Sequence, residues 1–278
     1  MSVHQSSAQG PTGSSPLSIH DLAGFKRRGE RFAMLTAYDF LTAQILDASG
    51  VPILLVGDSL GMVMLGYDST VPVTMDEMLH HTRAVRRGAS RALVVADMPF
   101  MSYQGAADEA VHNAGRFLKE GGATAVKLEG GARIVELVAR LTQTGIPVMG
   151  HIGLTPQSVN QFGGFKVQGR QEDDAEQLIA DAVALAEAGA FSIVLECVPA
   201  DLGTRITAAV DIPTIGIGAG AGTDGQVLVI QDLLGLTSGH LPRFVKPYAN
   251  LRDEITNAAK SFQAEVASGD YPGPEHVY

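Results

Sequence analysis

The stretch TAVKLEGGARIVELVARLTQTGIPVMGHIG, residues 124–153, contains one complete structural period. An apolar run, TAVKLEG (124–130), ends on glycine. A helix-like segment, GARIVELVARLTQTG, follows and stops at Gly145. A second apolar run, IPVMGHIG (146–153), begins at once. Runs this short and this uniformly apolar read as strands covered on both faces. Helices alternating with such strands imply a parallel sheet.

The same period recurs along the chain. Apolar runs occupy FAMLTAYD (32–39), PILLVGDS (52–59), ALVVADMP (92–99), FSIVLECVP (191–199), IPTIGIGAG (212–220) and QVLVIQDLLG (226–235). Helix-like segments lie between them. In one, Ala175, Leu178, Ile179, Ala182 and Leu185 form an apolar stripe at helical spacing. Several segments stop at glycine before the next strand, at Gly50, Gly88, Gly122, Gly145 and Gly189, as αβ turns do. Eight strands predict an α/β fold, a (β/α)8 TIM barrel in a single domain over 17–278. An open doubly wound sheet is the alternative. Residues 1–16, rich in Ser, Gly, Gln and Pro, read as a disordered tail. Residues 250–270 read as a terminal helix leading into YPGPEHVY.

Composition excludes several functions. Thirty acids against 20 bases give a net charge of −10, which argues against a nucleic-acid partner. Cys197 is the only cysteine, so there is no disulfide framework and no Cys-based zinc site; a reducing cytoplasm fits. No apolar run reaches the roughly 18 residues of a membrane span, and the N-terminus lacks the apolar core of a secretory signal.

Charge is concentrated at the C-terminal ends of the strands: Asp39, Asp58, Asp97, Lys127 with Glu129, His151 and Glu196. In a barrel that end carries the active site. Lys127 and Glu129, two residues apart on a strand, point to one side. Asp58, Asp97 and Glu129 come from successive strands, and three crowded carboxylates repel. A cation resolves this: Lys127, a nearby arginine, or a metal, for which oxygen donors without cysteine favour Mg2+. Alternatively each carboxylate caps the helix that follows it. Glu196 is either a general base or the partner of a Lys or Arg. On a strand Cys197 would face the other way, outside the barrel. His151 either supports the structure or hydrogen-bonds a substrate, and His80 and His81 fall on a surface helix. The glycines of GIGAGAGTDGQ (216–226) suit close approach of a ligand without requiring a phosphate.

The motifs TAYD, LLVGDSLGMVMLGYDSTVPVTMDEM, ADMPF, VKLEGG, PVMGHIGLTPQSVNQFGGFKVQGR, VLECVP, TIGIGAG and GDYPGPEH closely resemble those of the 3-methyl-2-oxobutanoate hydroxymethyltransferases. These are the ketopantoate-forming enzymes of pantothenate and coenzyme A biosynthesis. The likeness runs from about Leu17 to His276. It implies a transferase that moves a hydroxymethyl group from 5,10-methylenetetrahydrofolate to 3-methyl-2-oxobutanoate, giving 2-dehydropantoate through a Mg-stabilised enolate. It implies one Mg2+ per subunit at Asp58, Asp97 and Glu129, and substrate binding by Asp58, Ser59, Asp97 and Lys127. Glu196 becomes the general base, and His151 a substrate or folate contact. A cytoplasmic homo-oligomer, a decamer, is implied as well. Two other readings stand beside it. One is a lyase or mutase of the phosphoenolpyruvate/pyruvate kind, whose nucleophilic Cys or extra acid loop after strand 4 is not visible here. The other is a non-catalytic binding barrel, which the clustered acids disfavour.

Overall fold

The computed structural model describes residues 15–278 apart from 165 and 240. Most of the tail expected over 1–16 therefore lies outside the described residues. Compactness divides the chain into two units, meeting at Val227 and Leu228.

The first unit holds the barrel. Its strands are β1 (Phe32–Thr36), β2 (Ile53–Val56), β3 (Leu93–Asp97), β4 (Ala125–Glu129), β5 (Val148–Gly153), β6 (Ser192–Glu196), β7 (Thr214–Ile217) and β8 (Gly225–Leu228). They pair in parallel in sequence order and close on themselves. The closed barrel displaces the doubly wound alternative. Seven strands lie inside the apolar runs that announce them. The eighth run splits: β8 ends at Leu228, and Ile230–Leu233 turns into a short helix.

Side chains two apart on a strand share a face. The inward columns therefore read Leu93–Val95–Asp97, Ala125–Lys127–Glu129, Met149–His151 and Val194–Glu196. Their lower members join one buried cluster with Met34, Ile53, Leu55 and Ile215. Leu22, from the helix Ile19–Arg28 that precedes β1, belongs to the same cluster. The charges on β3 to β6 thus continue the interior of the barrel. They sit at its carboxyl end, above the apolar plug.

Gly50, Gly122, Gly145 and Gly189 adopt the positive φ expected of helix-ending glycines. Gly88 does not. It closes the helix Met75–Gly88 in helical geometry, and a Cβ there would lie 2.4 Å from the carbonyl oxygen of Phe40. Glycine serves close packing at this position.

The second unit comprises a short helix, Ile230–Leu233, a longer one, Leu251–Ser268, and a 3-10 turn at Pro274–His276. The Phe262 ring meets Tyr271 edge-on. The long helix leaves Ile255, Phe262 and Val266 exposed.

Candidate active site

Strand register places the polar residues side by side. Asp97 pairs with Lys127, Glu129 with His151, and Gly153 with Glu196. Asp58 follows β2 in the turn before the short helix Leu60–Val63. Asp58, Asp97, Lys127, Glu129 and His151 are all buried, while Glu196 keeps 17% of its side chain exposed.

The contacts form a chain around the mouth. Asp97 Oδ1 lies 2.8 Å from Lys127 Nζ, and Asp97 Oδ2 accepts the Asp58 amide proton at 3.1 Å. Lys127 Nζ is 3.1 Å from His151 Nδ1, which is 3.4 Å from Glu129 Oε1. His151 Nε2 stands 3.2 Å from Glu196 Oε2, off the angle of a hydrogen bond. The loop after β5 adds Gln157, whose Nε2 donates to Asp58 Oδ2 at 2.9 Å and whose main-chain N–H donates to Glu129 Oε2 at 3.0 Å. Ser59 Oγ pairs with the Tyr38 hydroxyl at 2.9 Å.

Asp58 and Asp97 are therefore not helix caps. Asp39 is: its Oδ1 accepts from Thr42 N at 2.8 Å at the start of the helix Phe40–Ala48, so it leaves the site. Glu196 meets a histidine rather than a Lys or Arg. His80 is exposed, but His81 is partly buried and holds the Tyr38 carbonyl through Nδ1 at 2.6 Å. Cys197 lies beyond the end of β6 at φ 49°, so strand alternation does not set its direction. Burial and the charge of Glu196 push its thiol up to about 11.

Electrostatics follow from crowding. Burial, then the charges of Asp97 and Glu129, hold the Asp58 carboxyl well above the usual range. Burial likewise raises Asp97, outweighing the opposite pull of Lys127. Burial works against the Lys127 charge, but Asp97, Glu129 and Asp58 outweigh it and keep the ammonium protonated. Burial and Lys127 press the His151 imidazole down, while contacts with Glu129 and Glu196 raise it by more. The lysine contact argues for a neutral ring all the same. An ammonium can only donate, so Nδ1 accepts and the ring proton sits on Nε2. We take that arrangement, because two buried like charges at 3.1 Å repel strongly.

Three carboxylates against one lysine leave excess negative charge in a buried site. Hard oxygen donors of this kind suit Mg2+, which binds through one or two carboxylates plus water. Among the described residues no three His, Cys, Asp or Glu side chains converge as a ready coordination sphere. The donor chemistry thus fits a cation held by two of the acids. Beside Glu129 and Gln157 opens a cavity of about 780 Å3, lined also by Phe100, Tyr103, Arg133 and Ile134.

Sequence reasoning missed Tyr38, Tyr103 and Gln157 as site components. Tyr38 and Tyr103 sit on loops and Gln157 in the 3-10 turn Pro156–Ser158, and none carries charge. Only their place next to strand ends, in TAYD and GLTPQSV for Tyr38 and Gln157, could have marked them.

A closed parallel barrel with acids and a lysine gathered at the carboxyl end of its strands defines a barrel enzyme. Residues 16–274 match the family model described as ketopantoate hydroxymethyltransferase. The 3-methyl-2-oxobutanoate hydroxymethyltransferase of Syntrophus aciditrophicus is 62% identical over 257 residues, covering 92% of this chain and 94% of its own. That of Moorella thermoacetica is 58% identical over 264 residues, covering 95% and 98%. The chain belongs to the ketopantoate hydroxymethyltransferase family, and it is an enzyme that transfers a one-carbon unit. Among solved structures, a putative phosphonomutase from Burkholderia cenocepacia superposes with TM-score 0.60 at 15% identity, covering 91% of this chain and 100% of its own. Phosphonopyruvate hydrolase, solved with oxalate and Mg2+, gives 0.59 at 14% identity, covering 90% and 87%. These two share the fold.

Proposed function

We propose that the enzyme transfers the hydroxymethyl group from 5,10-methylenetetrahydrofolate to 3-methyl-2-oxobutanoate, with Glu196 as the base that opens the reaction. One observation carries this reading. Glu196 is the most accessible carboxylate of the cluster, at 17% side-chain exposure against 5% or less for Asp97 and Glu129. It lies three strands round the barrel from Asp97 and two from Lys127. A 2-oxo acid anchored at Lys127 would turn its C3 toward Glu196.

The chemistry follows from that placement. C3 must lose its proton, and negative charge then gathers on the ketone oxygen. Lys127 holds a positive charge at that end of the site. Glu196 takes the proton. Ser59 and the backbone around Asp58 bind the substrate's oxygens. C3 then bonds to the methylene carbon as that carbon's bonds to the two folate nitrogens break; water supplies the hydroxyl, and tetrahydrofolate leaves carrying the proton taken from C3 and one proton of the water. Asp58 and Asp97, with Glu129 as the third acid, would hold Mg2+. When bound, the ion supplies Lewis-acid stabilisation of the developing oxyanion. The cavity beside Glu129 gives room for a large second substrate. His151, with its Nε2 proton directed into the mouth, is the further substrate contact.

The protein works as a homo-oligomer in this reading; the decamer is the family's number. In support, Phe40, Leu41 and Ile45 are exposed along one helix and Ile255, Phe262 and Val266 along another, apolar surface that association would cover.

The test is the exchange of the substrate C3 proton with solvent by Glu196→Gln. The 2-oxo acid should still bind while exchange is nearly abolished. Exchange at the wild-type rate removes Glu196 from this role.

A further inference from the structure

Gln157 is 5% exposed and neutral, yet it touches two of the three site acids. Its hydrogen bonds fix which way the amide points. The Tyr103 hydroxyl accepts the Glu129 main-chain N–H at 3.0 Å, and its own proton has two acceptors within reach, Gln157 Oε1 at 2.8 Å and the more distant Glu129 carbonyl at 3.2 Å. Gln104 Nε2 donates to the same oxygen at 3.0 Å. The amide nitrogen must then face acceptors, and it does: Asp58 Oδ2 and the Met98 carbonyl, each at 2.9 Å. Both amide atoms are fully used. Gln157 has no capacity left for a substrate, and a methionine or an ionised glutamate could not donate in its place.

This arrangement does more than fill space. The side chain anchors one oxygen of Asp58, and the main chain of the same residue anchors one oxygen of Glu129. A single loop residue thereby sets the spacing of two carboxylates that arrive from different strands. Tyr103 ties that loop back to β4 and selects the amide orientation.

We propose that Gln157, oriented by Tyr103, is the positioning residue that holds Asp58 and Glu129 ready for a divalent cation and the 2-oxo acid. The inference rests on the reading of those acids as the cation site. Partners of this kind around metal-binding carboxylates typically contribute about 10–100-fold in metal affinity.

The experiment titrates Mn2+ into the substrate-free protein, by calorimetry and by electron paramagnetic resonance, for wild type, Gln157→Met and Tyr103→Phe, with thermal melting of each. Gln157→Met should weaken Mn2+ about 10–100-fold and raise KM for the 2-oxo acid more than it lowers kcat. Tyr103→Phe should weaken Mn2+ by less, since Gln104 still faces the amide oxygen. If Gln157→Met does not fold, Tyr103→Phe decides: weakened Mn2+ binding in a folded protein supports the proposal. Mn2+ affinity equal to wild type in a folded variant, with only the melting temperature lowered, overturns it and leaves Gln157 a packing residue. Wild type that binds no Mn2+ overturns the cation site itself and this proposal with it.

Discussion

His151 Nε2 stands 3.2 Å from Glu196 Oε2, while the other ring nitrogen faces Lys127 at 3.1 Å. The imidazole thus spans the mouth from the Lys127 ammonium to the Glu196 carboxylate. Its tautomer is fixed by the lysine, and its remaining proton faces the Glu196 side. His151→Asn removes Nε2 and leaves Glu196 without its neighbour. We expect kcat to fall about 10–100-fold, below the 10²–10⁴ of a lost general base, with KM for the 2-oxo acid changed much less. Steady-state kinetics together with C3 proton exchange check this.

The two members of the Asp97–Lys127 pair should respond differently to removal. The buried part of the site holds three acids and one lysine. Lys127→Met leaves all three carboxylates uncompensated and should destabilise the substrate-free protein by about 3 kcal/mol, the scale of a broken buried pair. Asp97→Asn still leaves two acids around Lys127, so its cost should stay within about 1 kcal/mol. Urea unfolding without added metal compares them. Calorimetry should show Asp97→Asn weakening both Mg2+ and the 2-oxo acid.

Cys197 should react slowly. Its thiol is pushed up to about 11 by burial and by Glu196, and only the thiolate attacks an alkylating reagent. At pH 8 the folded protein should take up iodoacetamide about 100-fold more slowly than the unfolded chain. The rate should climb as pH rises toward 11. The stability sign agrees. The folded state keeps its proton longer, so stability is full below the unfolded pKa near 9 and falls as pH rises from there toward 11. Cys197→Ser should retain activity.

Two glycines in helices should respond with opposite signs to alanine. A Cβ at Gly88 would sit 2.4 Å from a backbone oxygen, and Gly88→Ala should cost about 1–3 kcal/mol as overpacking. Gly115, in the helix Ala107–Lys119, has nothing within 4 Å of the added atom. There alanine should stabilise by about 0.5–1 kcal/mol through helix propensity. Chemical denaturation of both variants separates the two effects.

Seven strands were legible because each is a short, mostly apolar run bounded by turn residues, a pattern that parallel packing requires; the eighth run hides a strand end and a helix in one apolar stretch. Asp97, Lys127, Glu129 and Glu196 were legible because a charge closing such a run is costly to bury unless it opens into a polar mouth. Asp39 shows where that logic ends: a strand-end acid followed by a helix can simply cap it. Gly88 shows the same for glycine, since close approach of Phe40 and a left-handed turn use the same residue type. Tyr103 left no trace and Gln157 only its place just after a strand, because an uncharged residue outside the strands becomes part of a site only through contacts distant in sequence.

In the proposed mechanism a cation at Asp58 and Asp97 lets C3 of the 2-oxo acid lose its proton to Glu196. Nuclear magnetic resonance of 3-methyl-2-oxobutanoate in D2O reads this step without the folate donor. Wild type with Mg2+ should exchange the C3 proton, lose at least about 100-fold of that rate on chelation, and recover it when Mg2+ returns. Undiminished exchange after exhaustive chelation would contradict the account.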